Sequence, residues 1–300
     1  MSLVDPAPRR IGSLERRSTP IAFGCWRFTD EDPRRAKSLI AAALDAGIVL
    51  IDTADVYGLG PGGTGFGTSE SILGGVLAGD PSLRDRMILA TKGGITPPVP
   101  YDSSPSYLRS ACEASLRRLR TDVIDLYFVH RPDVFTHPGA VAETLSDLRA
   151  SGKIREVGLS NHTPAQHQAL AAHLDFPVAA TQPEFSALHL DPLRDGTFDY
   201  CMTAGMTPLA WSPLAGGALA TGRGVRPELV AVLDRIAARE ETDRVSVALA
   251  FVLAHPANPI AIVGTQRPER VAGAMAAWRV RLERDDVYDI IEASDGTPLP

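Results

Sequence analysis

Four residues of complementary chemistry fall at or just past the ends of apolar runs: Asp52 and Tyr57 in IDTADVYG, Lys92 in LATKGG, and His130 in DLYFVHRP. A phenol has a pKa of about 10 and gives up its proton readily where a neighbouring cation stabilises the phenolate. Lys92 is the candidate cation, and Asp52 is the carboxylate that would hold an ammonium charged and oriented in a partly dry pocket. Such a set suits a reaction that builds negative charge on an oxygen, with Tyr57 as the donor aimed at that oxygen. His130 would be either a hydrogen-bond donor to the same oxygen or a proton-transfer partner in the reverse direction. Taken singly, each residue has an ordinary alternative: a turn cap, a core tyrosine, a solvated lysine, a buried strand-end histidine. Their joint occurrence at strand ends is what points to chemistry.

Positioning them requires strands whose carboxyl ends converge, which a parallel barrel supplies. β-rich runs recur at Pro20 to Phe23, Val49 to Asp52, Met87 to Thr91, Ile124 to His130, Ile154 to Ser160, Val178 to Gln182, Thr207 to Ala210 and Ile260 to Val263. Between them lie helix starts: Asp32 before Pro33, Ser104 before Pro105, and Thr163 before Pro164 with Gln166 completing a capping box. Eight strands alternating with helices in 300 residues favour a closed (β/α)8 barrel over an open doubly wound sheet. No linker, composition shift or repeat divides the chain, so residues 1–300 are expected to form one barrel domain. Gly58 to Gly67 and Glu184 to Met206 fall outside the alternation and are expected to be loops over the active face. An amphipathic stretch within Asp286 to Pro300 is expected to pack against the barrel or its mouth.

The order Asp, Tyr, Lys, His within these strings resembles the aldo-keto reductase family, which reduces carbonyls with a nicotinamide cofactor. The resemblance continues through GLSNH (Gly158 to His162), TQPEF (Thr181 to Phe185), AWSPLAGG (Ala210 to Gly217) and IVGTQRPERV (Ile262 to Val271), and so covers nearly the whole chain. GTQRPERV and the aromatic C-terminal segment look closer to bacterial oxidoreductases of the YdhF type than to mammalian aldose reductases. The implied fold is the (β/α)8 barrel. The implied activity is NADPH-dependent reduction of aldehydes or ketones to alcohols, with Tyr57 as proton donor supported by Asp52, Lys92 and His130.

The resemblance also implies a cofactor site. Ser160, Asn161 and Gln182 would bond the nicotinamide carboxamide, and Trp211 would stack on its ring. Gly24 and Trp26, flanking Cys25 after the first strand, would line the same pocket. The stretch Ser212 to Gly217, with Ser212, Pro213, Leu214 and Gly216, combines a hydroxyl with small residues that let backbone N–H groups approach a pyrophosphate. Barrels often bind phosphate with the loops after strands 7 and 8, which supports the same placement independently. Gly264, Thr265, Gln266, Arg267 and Arg270 match the region where the family binds the adenosine phosphate, and the planar fork of arginine suits a phosphate monoester, favouring NADP(H) over NAD(H). The main departure is Gly273 and Ala274, where many members carry a Glu-Asn pair that contacts adenine. A largely apolar substrate pocket is expected from Trp26, the Gly58 to Gly67 loop, Phe135, Phe185 and the C-terminal segment.

Composition narrows the partners. A net charge of −6 with scattered basic residues gives no electrostatic footprint for nucleic acid. Cys25, Cys112 and Cys201 are odd in number and widely spaced, so neither a disulfide framework nor a zinc site is indicated, and a reducing cytoplasm fits. No apolar run approaches the ~18 residues of a membrane span, and Met1 to Arg10 has no apolar signal core. The expected partner is a small carbonyl compound, with no nucleic acid and no membrane.

Two signals mislead. Gly60-Pro61-Gly62-Gly63-Thr64-Gly65 matches GxGxxG, but it contains proline and begins well past the strand end, whereas a true dinucleotide turn passes directly from strand to helix. His162, His167 and Asp175 straddle a helix and lack a second matched pair, so surface or capping roles are expected rather than a metal. Other classes stay open at this point. They are a cofactor-binding regulatory subunit with little turnover, as some superfamily members are, and a different barrel chemistry such as sugar-phosphate isomerisation.

Overall fold

The computed structural model describes residues 2–29, 33–60 and 62–299; the expected cap at Asp32 and the proline of the glycine-rich string, Pro61, lie outside them. Eight parallel strands close into one barrel in sequence order: β1 (Ile21–Gly24), β2 (Leu50–Asp52), β3 (Ile88–Gly93), β4 (Ile124–Val129), β5 (Ile154–Ser160), β6 (Ala180–Gln182), β7 (Thr207–Ala210) and β8 (Ile260–Val263). The eight expected runs match these strands to within two residues at each end. The closing pair is β1 with β8, in the register Ile21 to Ala261 and Phe23 to Val263.

Alternate residues of each strand divide between two apolar clusters, as the period of two requires. Ala22, Leu50, Ile88, Ala90, Leu126, Phe128, Ala180, Leu209, Ile260 and Ile262 form the smaller cluster, one or two from nearly every strand, and fill the barrel interior. Ile21, Phe23, Ile51, Leu89, Tyr127, Val129, Val157, Leu159, Ala210 and Val263 belong to the larger cluster that joins the barrel to its helices. Phe128 spans the interior because Gly158 faces it: a Cβ on Gly158 would come within 2.3 Å of the Phe128 ring. Truncating such a phenylalanine to alanine typically costs about 3–5 kcal/mol.

The amino end of the barrel is plugged by an N-terminal hairpin, with Arg9 paired to Ser18 and Ile11 inside the interior cluster. At its tip Ser13 donates its backbone N–H to the inward-facing, buried Glu156 at 2.6 Å. The carboxyl end carries the polar residues. Continuing the inward parity, Asp52 follows Leu50, Lys92 follows Ala90, His130 follows Phe128, Gln182 follows Ala180, and Trp211 follows Leu209.

Local signals set the helix starts. Ser104 accepts from the Tyr107 N–H at 3.4 Å, and Thr163 with Gln166 completes the capping box. Glu184 to Met206 is not all loop, because it holds the barrel helix Thr197–Ala204, which buries Phe198 and Cys201. This helix is short and starts from an Asp195 side chain accepting the Thr197 N–H at 2.8 Å, a signal without long periodicity. The C-terminal amphipathic stretch is the helix Arg284–Asp295, which lies along the helix Pro227–Arg239 instead of over the mouth. Arg239 grips Asp286 at 2.7 and 2.9 Å, and Arg235 pairs with Asp289.

Candidate active site

Asp52 ends β2, Lys92 is the fifth residue of β3, and His130 is the first residue after β4. Tyr57 is delivered by the turn after β2, where its N–H donates to the Ala54 carbonyl at 3.3 Å. The four side chains converge. The Lys92 ammonium donates to Asp52 Oδ2 at 2.7 Å, to the Thr53 carbonyl at 2.7 Å, and to Tyr57 Oη at 3.2 Å. These three bonds use all of its protons. The His130 ring stands edge-on to Tyr57, with centroids 5.9 Å apart, and its Nδ1 is buried without a partner.

Lys92 is fully buried and Asp52 nearly so. Burial opposes the ammonium charge, yet Asp52 and the Tyr57 oxygen outweigh it and hold Lys92 above the usual lysine range. Burial pushes the Tyr57 phenol above its ordinary value, and the pull of Lys92 in the other direction offsets only part of that rise. The phenol therefore stays protonated at neutral pH instead of being eased toward phenolate. Burial, followed by the positive charges of Lys92 and Arg131, keeps His130 well below 6.5 and so neutral. Burial and the Asp52 charge raise the Cys25 thiol, which leaves no thiolate nucleophile beside the cluster.

The expected carboxamide cradle is joined to this cluster. Gln182 Nε2 donates to Asp52 Oδ1 at 3.0 Å, Ser160 Oγ donates to the Gln182 carbonyl at 3.0 Å, and Asn161 Nδ2 donates to Ser160 Oγ at 2.8 Å. Asn161 takes a left-handed φ of 57° and accepts from Trp211 Nε1 at 2.9 Å, which fixes the indole at the end of β7. The Arg131 guanidinium lies over that indole at 5.8 Å. On the other side of the mouth, Trp26 is half-exposed and lies over Gly264, where a Cβ would come within 2.9 Å of Nε1. Gly24 is buried beneath, against Ile262.

The Ser212 to Gly217 loop turns tightly, with left-handed φ at Ser212, Ala215, Gly216 and Gly217. Ser212 Oγ accepts from the Gly216 N–H at 3.0 Å, Pro213 is buried and Leu214 packs against the core. No atom lies within 4 Å of where a Cβ on Gly216 or Gly217 would stand, so an anion has room to reach the backbone. Beyond β8, Thr265 and Gln266 lead to Arg267 and Arg270, both exposed and without an acidic partner among the described residues. The open, small-residue turn after β7 and the two exposed arginines after β8 each have the chemistry to hold a phosphate. At the departure from the family pattern, Ala274 is buried in the core while Gly273 faces open space.

Trp26, Leu59, Val99, Tyr101, Val134 and Phe135 are exposed in the segments after β1 to β4. Phe185 is not among them: it is buried between Phe198 and Phe251, at centroid distances of 4.8 and 5.7 Å. Phe185 therefore does not line the substrate pocket as expected, but points into the outer core. The surface or capping role expected for His167 is not what the structure shows: it is buried in the helix Pro164–Ala171 with Nε2 3.0 Å from Thr181 Oγ1, while His162, partly buried, has Nδ1 2.9 Å from the Ser160 carbonyl. Among the described residues no group of three or more His, Cys, Asp or Glu could hold a metal. Sequence reasoning missed Glu70, which accepts from Thr91 Oγ1 and from Arg118 Nε at 2.7 Å and so ties the helix Thr68–Gly79 to the helix Pro105–Leu119. Its partners lie 21 and 48 residues away, beyond any local pattern.

A closed parallel barrel with an ionisable cluster at the carboxyl ends of its strands belongs to the (β/α)8-barrel enzymes. Residues 20–295 match the aldo/keto reductase family, and the chain belongs to that family of oxidoreductases. It is 47% identical over 298 residues to 6-dehydroglucose reductase of Novosphingobium aromaticivorans, covering 98% of both chains. It is 34% identical over 290 residues to the oxidoreductase YdhF of Escherichia coli, covering 93% of this chain and 94% of that one. Among solved structures, a glycerol dehydrogenase from Gluconobacter oxydans superposes with a TM-score of 0.84 at 28% identity, covering 98% of this chain and 97% of the other.

Proposed function

We propose that the protein reduces an aldehyde or ketone to an alcohol with NADPH, with Tyr57 as the proton donor. The observation that carries this reading is the Lys92 ammonium shared between Asp52, the Thr53 carbonyl and Tyr57 Oη. NADPH supplies the hydride when bound. Tyr57 supplies the proton to the carbonyl oxygen, and Lys92 stabilises the phenolate left behind. Asp52 holds Lys92 charged, and neutral His130 offers its single N–H to the same oxygen.

Ser160, Asn161 and Gln182 would orient the carboxamide, and Trp211 would stack on the ring. The Ser212 to Gly217 loop would take the pyrophosphate, and Arg267 and Arg270 the adenosine phosphate. Gly24, Trp26, Gly264, Thr265 and Gln266 complete the walls of this groove. The three free, buried cysteines suit a reducing cytoplasm. The relative from Novosphingobium aromaticivorans makes a sugar carrying a carbonyl at C6 the first substrate to try.

The test is fluorescence titration with NADPH and NADH for the wild type and Arg270→Ala, followed by NADPH oxidation against a panel of aldehydes that includes 6-dehydroglucose. The reading expects NADPH binding weakened about 10-fold or more by the substitution, as for a lost charged hydrogen bond, with NADH little affected. Binding of neither dinucleotide at millimolar concentration would overturn it. Tight NADPH binding without turnover on any carbonyl would favour a cofactor-binding subunit instead.

A further inference from the structure

One carboxyl beside the cluster has no part in the chemistry above. Asp55 is fully buried, and neither of its carboxyl oxygens has a hydrogen-bond partner. Its backbone N–H donates to the Lys92 carbonyl at 3.1 Å, so it lies against the end of β3 inside the turn that presents Tyr57. The ionisable groups within electrostatic reach are Glu70 on the helix Thr68–Gly79, Arg118 and Tyr107 on the helix Pro105–Leu119, Lys92 on β3 and Tyr127 on β4.

Both nearby cations are committed elsewhere. The three ammonium protons of Lys92 go to Asp52, Thr53 and Tyr57, and Arg118 bonds Glu70 and Ser115. The Tyr127 hydroxyl, also unpartnered, is pressed against Gly93, where a Cβ would come within 2.2 Å of it. The neighbouring Val56 backbone N–H, outside hydrogen-bond geometry, offsets only part of the burial, and a carboxylate so weakly supported is strongly disfavoured in so dry a site. Burial first, and then the Glu70 charge, hold the Asp55 carboxyl well above the usual carboxylate range.

We propose that Asp55 is a positioning residue for Tyr57 that works as an un-ionised acid: it fills the space behind the Ala54 to Tyr57 turn, against the end of β3, without setting a second negative charge beside Glu70. An ionised Asp55 would compete with Glu70 for Arg118 and loosen the helix start whose Ser69 N–H holds the Tyr57 carbonyl at 3.2 Å. The neutral acid leaves the Glu70 to Arg118 pair, and with it the seat of the Tyr57 turn, undisturbed. The inference rests on Tyr57 being the proton donor.

The test compares the wild type, Asp55→Asn and Asp55→Ala by kcat, NADPH affinity, and melting temperature from pH 5 to pH 8. Asparagine has the shape of the neutral acid and no charge, so Asp55→Asn is expected to keep kcat within about twofold. Asp55→Ala leaves the turn unpacked and is expected to lower kcat ~10-fold or more at unchanged NADPH affinity, as for a displaced catalytic group. A folded-state pKa above the unfolded one contributes stability that is lost as pH rises, so the melting temperature of Asp55→Asn should gain on the wild type from pH 5 to pH 8. Loss of kcat in Asp55→Asn equal to that in Asp55→Ala, wild-type kcat in Asp55→Ala, or a melting gain that shrinks with pH would each overturn the proposal. If Asp55→Ala does not fold, the asparagine variant decides alone. Absence of turnover in the wild type would count against the reductase reading, while the melting comparison would still test the neutral acid.

Discussion

Gln182 and Asp52, 130 residues apart in sequence, are joined by a 3.0 Å hydrogen bond from the Gln182 amide to Asp52 Oδ1, while Asp52 Oδ2 takes the Lys92 ammonium. One carboxylate thus connects the proposed carboxamide cradle to the proposed proton donor. Gln182→Leu is expected to weaken NADPH binding and also to lower kcat, each by about 10-fold, the usual cost of a hydrogen bond to a charged group. A double-mutant cycle with Asp52→Asn should be non-additive. Additive losses would show that the two residues act separately.

Tyr57→Phe removes the phenolic proton and leaves the ring against His130. It is expected to reduce kcat by about 10²–10⁴-fold, the usual contribution of a positioned proton donor, with NADPH binding retained. Stopped-flow single turnover separates the chemical step from product release. A single-turnover rate equal to that of the wild type would move the donor role to His130.

The rate of carbonyl reduction should be flat from pH 6 to pH 9. The Tyr57 phenol is held above its ordinary value and stays protonated through this range, and His130 is held well below 6.5 and stays neutral. Activity is expected to fall only at strongly alkaline pH, as the donor ionises. A profile of kcat/KM from pH 5 to pH 11 checks this, and an acid limb centred near 6.5 would show that His130 titrates in the ordinary range.

Stability should fall on acidification. Burial depresses His162 to about 4 and His167 to about 3, the latter with a smaller contribution from His162, and His130 is depressed as well. Below pH 6.5 the unfolded chain takes up protons that the folded chain refuses, so stability present above that pH is lost toward pH 3, most of it from the buried His167 and His130 and less from the partly buried His162. Urea titrations at pH 7, 5 and 4 measure the slope. His167→Asn, which keeps a polar group near Thr181, should flatten it; an unchanged slope would show that His167 does not contribute.

The fold was largely legible in the chain. Eight apolar runs gave eight strands because strands buried on both faces need continuous apolar sequence, and the Thr163 to Gln166 box and the Ser104 cap marked helix starts because capping is local chemistry. Two segments were not legible. The helix Thr197–Ala204 is too short for its periodicity to show, and Phe185 reads as a mouth residue by position although it packs between Phe198 and Phe251. Glu70, Arg118 and Asp55 gave no signal, because a buried carboxyl is defined by what surrounds it and not by its neighbours in the chain.

The sequence by itself determined the strand ends, and with them the inward parity that puts Asp52, Lys92 and His130 on the barrel interior. Period-two alternation and capping are properties of a few consecutive residues. Only the tertiary structure decided how those groups are wired: Gln182 to Asp52, Arg118 to Glu70, Trp211 to Asn161, and the C-terminal helix against Pro227–Arg239 instead of over the mouth. Barrel closure brings these partners together across tens of residues, and burial then sets which carboxyls and rings keep their protons.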